Sequence, residues 1–254
     1  MNETGDILFL AANTSRSKAY AQAMEQAELG VSRTLILDKP LDEEGAEFPD
    51  VTNFQHEAEV FLPDLNIPLA ETAGRICDQV DAIAYTGIKE SGIKEYLLRL
   101  EPKLLVYSGY GGELVPGELL SLGIPFLHIH SGWLPQFRGS TTVYYSLLTE
   151  YRCGVSAILL EPQIDNGPIV ARQHYAPPPP GLDVDHLYDN AIRADLLVQV
   201  LRDWQEKSVI NPLHQNEVDS QTYYVIHPVL KHLTLLSLEK GIIQAKYHED
   251  SGVV

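Results

Sequence analysis

Sulfur and positive charge are both scarce in this chain. Two cysteines occur in 254 residues, Cys77 and Cys153. They lie far apart without the close spacing of metal-binding pairs, so they read as small buried apolar side chains rather than a disulfide framework or a thiolate site. Lys and Arg number 18 against 35 Asp and Glu, a formal charge of −17. Such a surface repels a phosphate backbone and no basic cluster offsets it, which argues against nucleic acid as a partner. No apolar run approaches the roughly 18 residues of a membrane helix. The opening stretch, Met1 to Asp6, is acidic and lacks the basic start of a signal peptide. These absences lead to the expectation of a reduced cytoplasmic protein with no membrane partner. No glycine-rich fingerprint follows the first apolar run, so a dinucleotide site of the usual kind is not expected. Internal repeats and low-complexity tracts are missing as well.

What is present is an ordinary globular composition, 44% hydrophobic and 21% charged, long enough for one substantial core. Continuous apolar runs at Ile7 to Ala12, Thr34 to Leu37 and Leu104 to Tyr107 read as strands buried on both faces. Glu59 to Leu62 predicts a further short strand, and Ala82 to Tyr85 fits a strand or a helix end. Helical spacing covers Leu69 to Cys77, Ile93 to Leu100 and Val115 to Leu122, and a long amphipathic helix runs from Asp183 to about Lys207. Residues Asp42 to Phe54 read as an acidic exposed loop, and the end of the chain as a short helix with a frayed acidic tail. Strands alternating with helices predict a mainly parallel sheet with helices on both faces, plus an antiparallel pair at residues 154 to 160 and 168 to 174. Residues 1–210 are expected to form one catalytic domain, with 211–254 as an extension packed on it.

The chain is organised around His128-Ile-His-Ser-Gly-Trp-Leu-Pro-Gln-Phe-Arg-Gly139. The apolar residues Ile124 to Leu127 lead into it as an inner strand, on which His128 and His130 share one face. Arg138-Gly139 and the hydroxyls of Ser140 to Thr142 predict the start and cap of a helix. Paired imidazoles at the carboxyl end of an inner strand occupy the usual site of an open α/β sheet. Two turns can join them. Ser108-Gly-Tyr-Gly-Gly112 is either a plain strand-to-helix turn or a place where backbone approaches a planar ligand. Asp165, at the hairpin tip Ile164-Asp-Asn-Gly167, either closes a local Asx turn or points back at the histidines as a proton-handling partner.

These residues resemble the folate-dependent formyltransferase family, whose signature has the form Asn-x-His-x-Ser-x-Leu-Pro-x-x-Arg-Gly followed by an Asp-x-Gly turn. The match is His128-Ile-His130-Ser-Gly-Trp-Leu134-Pro135-Gln-Phe-Arg138-Gly139 and Asp165-Asn-Gly167, with Tyr110-Gly111-Gly112 similar to the family's Tyr-Gly turn. The resemblance covers about residues 80 to 175 well and the earlier part in outline. It implies a Rossmann-like formyltransferase fold and a 10-formyltetrahydrofolate donor held by Tyr110, Gly111, Gly112, Gln163, Ile164 and Asp165. It implies His128, His130 and Asp165 as the catalytic group, without a metal. Two positions depart from the pattern. His128 stands where the family has asparagine, and Gly132 where it has serine. A neutral imidazole has one N–H and can replace the amide as a donor to an oxyanion. A metal-dependent hydrolase using the same three residues, and a non-catalytic relative, are the rival readings. The acidic charge turns the acceptor away from tRNA toward a small-molecule amine, an amino sugar of surface polysaccharide synthesis. Tyr223, Tyr224 and His227 either line its pocket or dock a helix on the core, and a homodimer is left open.

Overall fold

Every second residue of Ile7–Ala12 faces a different half of the core. Ile7, Phe9 and Ala11 belong to one buried cluster, and Leu8, Leu10 and Ala12 to another on the opposite face of the sheet. That alternation is why the run carries no polar residue: a central strand has no wet side. The computed structural model of the protein describes residues 7–39, 48–89, 92–216 and 219–251. The N-terminal acidic start, part of the acidic loop and the last tail residues lie outside the described residues.

Strand β1 (Ile7–Ala12) is followed by helix α1 (Ser15–Gln26), β2 (Arg33–Asp38), α2 (Leu69–Ile76), β3 (Val80–Ala84), α3 (Ile93–Leu100), β4 (Leu104–Ser108), α4 (Gly117–Leu120) and β5 (Phe126–His130). After β6 (Arg138–Gly139) come α5 (Thr142–Glu150), the hairpin β7 (Cys153–Leu159) and β8 (Ile169–Tyr175), a π-helical turn Val184–Tyr188, and α6 (Asp189–Lys207). The chain continues through β9 (Thr222–Tyr223), α7 (Pro228–Glu239) and α8 (Ile242–Ser251). Seven strands form one sheet in the order β3-β2-β1-β4-β5-β7-β8. The first five run parallel, while β7 is antiparallel to β5 and β8 to β7. Helices cover both faces, with α1 packed against α6 on one of them. The chain leaves β1 toward β2 on one side and returns to β4 on the other, so a crevice opens at the carboxyl ends of β1 and β4.

Local chemistry sets the ends of these elements. Thr14 accepts the Ser17 N–H and starts α1, and Asp183 accepts the His186 N–H and starts the π turn. Both cysteines are buried and unpaired. Three expectations change. Glu59 to Leu62 forms no strand, because side-chain amides hold that backbone instead of a sheet ladder. Gln55 bonds both Leu62 backbone groups, and Gln22 bonds both of those of Asp64. Arg138-Gly139 does not open a helix. It forms a short parallel bridge with β9, and Gly139 takes φ of 101°. A Cβ at 139 would run into the Tyr223 carbonyl, so only glycine fits. Helix α5 begins later, and the Thr141 hydroxyl accepts the Ile226 N–H instead of capping it. The chain end forms two helices, which bury Leu238 and Ile243 in the main core. Among the described residues no helix is long and apolar enough to cross a membrane.

Candidate active site

The end of β5 is stitched to its neighbours before any side chain enters a cavity. Ser156 on β7 donates to the Gly132 carbonyl at 2.7 Å and accepts the Leu134 N–H at 3.0 Å. Arg172 on β8 donates to the Leu134 carbonyl at 2.6 Å. Beneath the strand, Arg193 of α6 gives two bonds to the Ile129 carbonyl, at 3.0 and 2.7 Å, and one to Asp189 at 3.1 Å. Asp189 also accepts from Ser131. The backbone between the two histidines is therefore held from both sides.

His128 and His130 do share a face, and both border a cavity of about 650 Å³. His130 is 5% exposed. Its Nε2 lies 2.7 Å from the Phe137 carbonyl oxygen. A carbonyl only accepts, so Nε2 carries a hydrogen and Nδ1 is the nitrogen turned to chemistry. Nδ1 lies 3.4 Å from Asp165 Oδ1. The other carboxylate oxygen, Oδ2, accepts the Gly139 N–H at 2.8 Å. Asp165 thus reaches back across the site rather than closing a local Asx turn. Gly132 makes the Phe137 contact feasible: a Cβ there would sit 2.5 Å from the Phe137 oxygen and 2.8 Å from His130 Nε2.

His128 is held differently. Its Nδ1 is buried without a hydrogen-bond partner among the described residues. Burial, and then the nearby charges of Arg16 and Arg193, push its pKa well below the ordinary imidazole value, so the ring is neutral at physiological pH. The Tyr107 ring lies 6.1 Å away.

A second, narrower cavity of about 170 Å³ adjoins the first. Tyr110, Gly111, Gly112, Gln163, Ile164 and Asp165 all border it, so the two turns singled out in the sequence face each other across one space. Tyr110 donates to the Leu37 carbonyl at 3.0 Å and packs at 5.2 Å against Tyr85, whose hydroxyl donates to Glu113. The two chambers meet at Arg16, Gly112, Glu113, Leu114, His128, Ile164 and Asp165.

Sequence reasoning missed Arg16 and Gln215. Gln215 donates to the carbonyls of Asp165 and Gly167, both at 2.8 Å, and accepts from Arg138 at 2.8 Å. The signature arginine thereby braces the aspartate turn through a residue some fifty positions downstream. Tyr223 stacks on Phe137 at 5.3 Å and packs at a tilt against Tyr145 at 4.5 Å, and residues 222–225 form one wall of the larger chamber. Among the described residues no group of three or more His, Cys, Asp or Glu is placed to hold a metal ion.

The chain is 38% identical over 118 residues to a methionyl-tRNA formyltransferase of Chloroflexus aurantiacus, covering 45% of this chain and 37% of that one. It is related to the formyltransferases. The match spans little more than a third of that relative's length. No family model matches the chain. In fold it is similar to a 4-N formyltransferase from Francisella tularensis, with a TM-score of 0.54 at 13% identity over 92% of this chain and 88% of that one. HypX from Aquifex aeolicus, solved in complex with tetrahydrofolic acid, gives a TM-score of 0.53 at 14% identity over 89% of this chain and 30% of that one. The fold is the Rossmann-like formyltransferase fold, with the formyltransferase-like signature at its strand end.

Proposed function

We propose that this protein transfers a formyl group from 10-formyltetrahydrofolate to the amine of a small acceptor, an amino sugar free or nucleotide-linked, in surface polysaccharide synthesis. The observation that carries this is the His130–Asp165 pair, in which His130 borders the wide chamber and Asp165 stands where that chamber meets the narrow one. The narrow chamber, walled by Tyr110 to Gly112 and Gln163 to Asp165, takes the flat pterin. The wide one, with its Tyr223 wall, takes the acceptor. As the amine attacks the formyl carbon, His130 Nδ1 and Asp165 Oδ1 take its proton and pass one to N10 as the bond from the carbon to N10 breaks, and neutral His128 donates to the formyl oxygen. The charge of −17 supports a small acceptor over tRNA, although the relative named above is a methionyl-tRNA formyltransferase.

The test is incubation with 10-formyltetrahydrofolate and a panel of nucleotide-linked amino sugars and amino nonulosonic acids, with mass detection of the formylated amine. Calorimetry with 5-formyltetrahydrofolate runs in parallel. A formylated sugar and a folate-dependent heat are expected. Folate binding without product would mark a ligand-binding relative, and neither signal would sink the proposal. A gel shift with initiator tRNA that weakens with salt would redirect the acceptor.

A further inference from the structure

Two guanidiniums reach the underside of the site, and they are neutralised unequally. Arg193 is bonded to the Asp189 carboxylate, so its charge is matched where it stands. Arg16 bonds no carboxylate among the described residues and feels Asp189 only at a distance. It sits in the first turn of α1, where the helix dipole disfavours a cation and no acidic residue shares the turn. Its Nε donates to the Ser108 hydroxyl at 3.2 Å, and its Nη2 donates to the Gly109 carbonyl. Both partners are neutral. They fix the guanidinium plane at the crevice between β1 and β4, where it borders both chambers beside His128. A cation held there, half-buried and against a helix dipole, costs stability unless negative charge arrives during function.

We propose that the Arg16 guanidinium is the charged group that stabilises the oxyanion formed during formyl transfer. This rests on the formyltransferase reading above. In the reaction, the acceptor nitrogen's lone pair forms the new N–C bond while the carbonyl π pair moves onto the formyl oxygen. When that pair returns, the bond from the carbon to N10 of the donor breaks, and one proton passes in all from the acceptor nitrogen to N10. Full negative charge rests on the oxygen only between those two events. A fixed cation beside it therefore lowers the barrier without tightening the hold on the neutral formyl donor. His128, kept neutral by burial, supplies a hydrogen bond but no charge, so the two groups divide the work of the family's single amide.

The experiment compares wild type with Arg16→Met, Arg16→Gln and Arg16→Lys. Single-turnover rates are read with 10-formyltetrahydrofolate and the amino-sugar panel, affinity with 5-formyltetrahydrofolate, and the His128 titration by imidazole NMR. Arg16→Met and Arg16→Gln should lose about 10²- to 10³-fold in rate with folate affinity unchanged. Arg16→Lys, which keeps the charge, should recover part of that loss. Removing the cation should also move the His128 titration upward. Arg16→Gln, which keeps donors for Ser108 and Gly109, carries the test if Arg16→Met fails to fold. A wild-type rate in the neutral variants, a loss of affinity equal to the loss of rate, no recovery with lysine, or an unmoved His128 titration each overturns the inference. Absence of transfer by the wild-type chain overturns the underlying reading and this inference with it, whereas transfer undiminished in Arg16→Gln overturns this inference alone.

Discussion

The two histidines of β5 leave the same strand toward the same chamber, yet their surroundings are opposite. His130 is held at Nε2 by the Phe137 carbonyl, and its Nδ1 faces the Asp165 carboxylate. His128 has a buried Nδ1 without a hydrogen-bond partner among the described residues and is kept neutral by its surroundings. Sharing a face says where a side chain goes; the second layer of contacts says what it can do there. The two departures from the family signature fall on either side of this contrast. Position 128 keeps a nitrogen with no hydrogen-bond partner among the described residues, while position 132 admits no side chain, because a Cβ there would strike the very contact that orients His130.

Substitutions can break that contrast. His130→Asn removes the proton-handling ring and should cost about 10²- to 10⁴-fold in steady-state rate. Asp165→Asn keeps the shape but not the charge facing Nδ1, and a comparable loss is expected. A wild-type rate in either variant, with folding checked by circular dichroism, would remove the pair from the mechanism. His128→Ala leaves the formyl oxygen one donor short, which should cost about 10²- to 10³-fold; a loss under tenfold would assign the whole task to other groups.

Restoring the family residue at each departure sharpens the comparison further. Gly132→Ser should displace the Phe137 carbonyl or His130, and a shift of about 1 Å in a catalytic group can cost about 10²-fold. Equal rates in Gly132→Ser and wild type would show that His130 is less constrained than its contacts suggest. His128→Asn should retain activity or raise it. The same variant has a stability signature. The folded-state pKa of His128 is depressed, so below the unfolded imidazole value of about 6.5 the unfolded chain binds a proton that the native chain does not. Native stability from this residue is therefore full above that pH and is lost as pH falls. The melting temperature of wild type should drop more steeply from pH 7.5 to 5.5 than that of His128→Asn, and parallel curves would contradict the buried neutral ring.

Much of this was legible in the sequence, where local pattern and tertiary role coincide. Ile7–Ala12 and Ile93–Leu100 appear with the bounds their apolar spacing predicts. The motif strand and the 153–175 hairpin were readable for the same reason. Glu59 to Leu62 misled because an apolar run records burial, not the hydrogen-bond partner, and the partners turned out to be glutamine side chains. Gln215 and the two-residue β9 carry no periodicity at all. Arg16 did leave a trace, a lone cation in a helix's first turn against the dipole, which is a local misfit of the kind that marks functional positions.

The brace through Gln215 sets where this molecule can be cut and rejoined. Residues 222–225 wall the larger chamber, while Gln215 and the Leu213 bridge to Ile169 tie down the Asp165 turn and the β6–β9 pair holds Gly139 beside it. A chimaera made by exchanging everything after Lys207 would change the proposed acceptor wall and loosen Asp165 in the same stroke. An exchange that begins at Pro228, after the Ile226 bond to Thr141, keeps those ties, so a change at Tyr223 on the proposed acceptor wall has to be built into this chain's own segment rather than imported with a foreign tail.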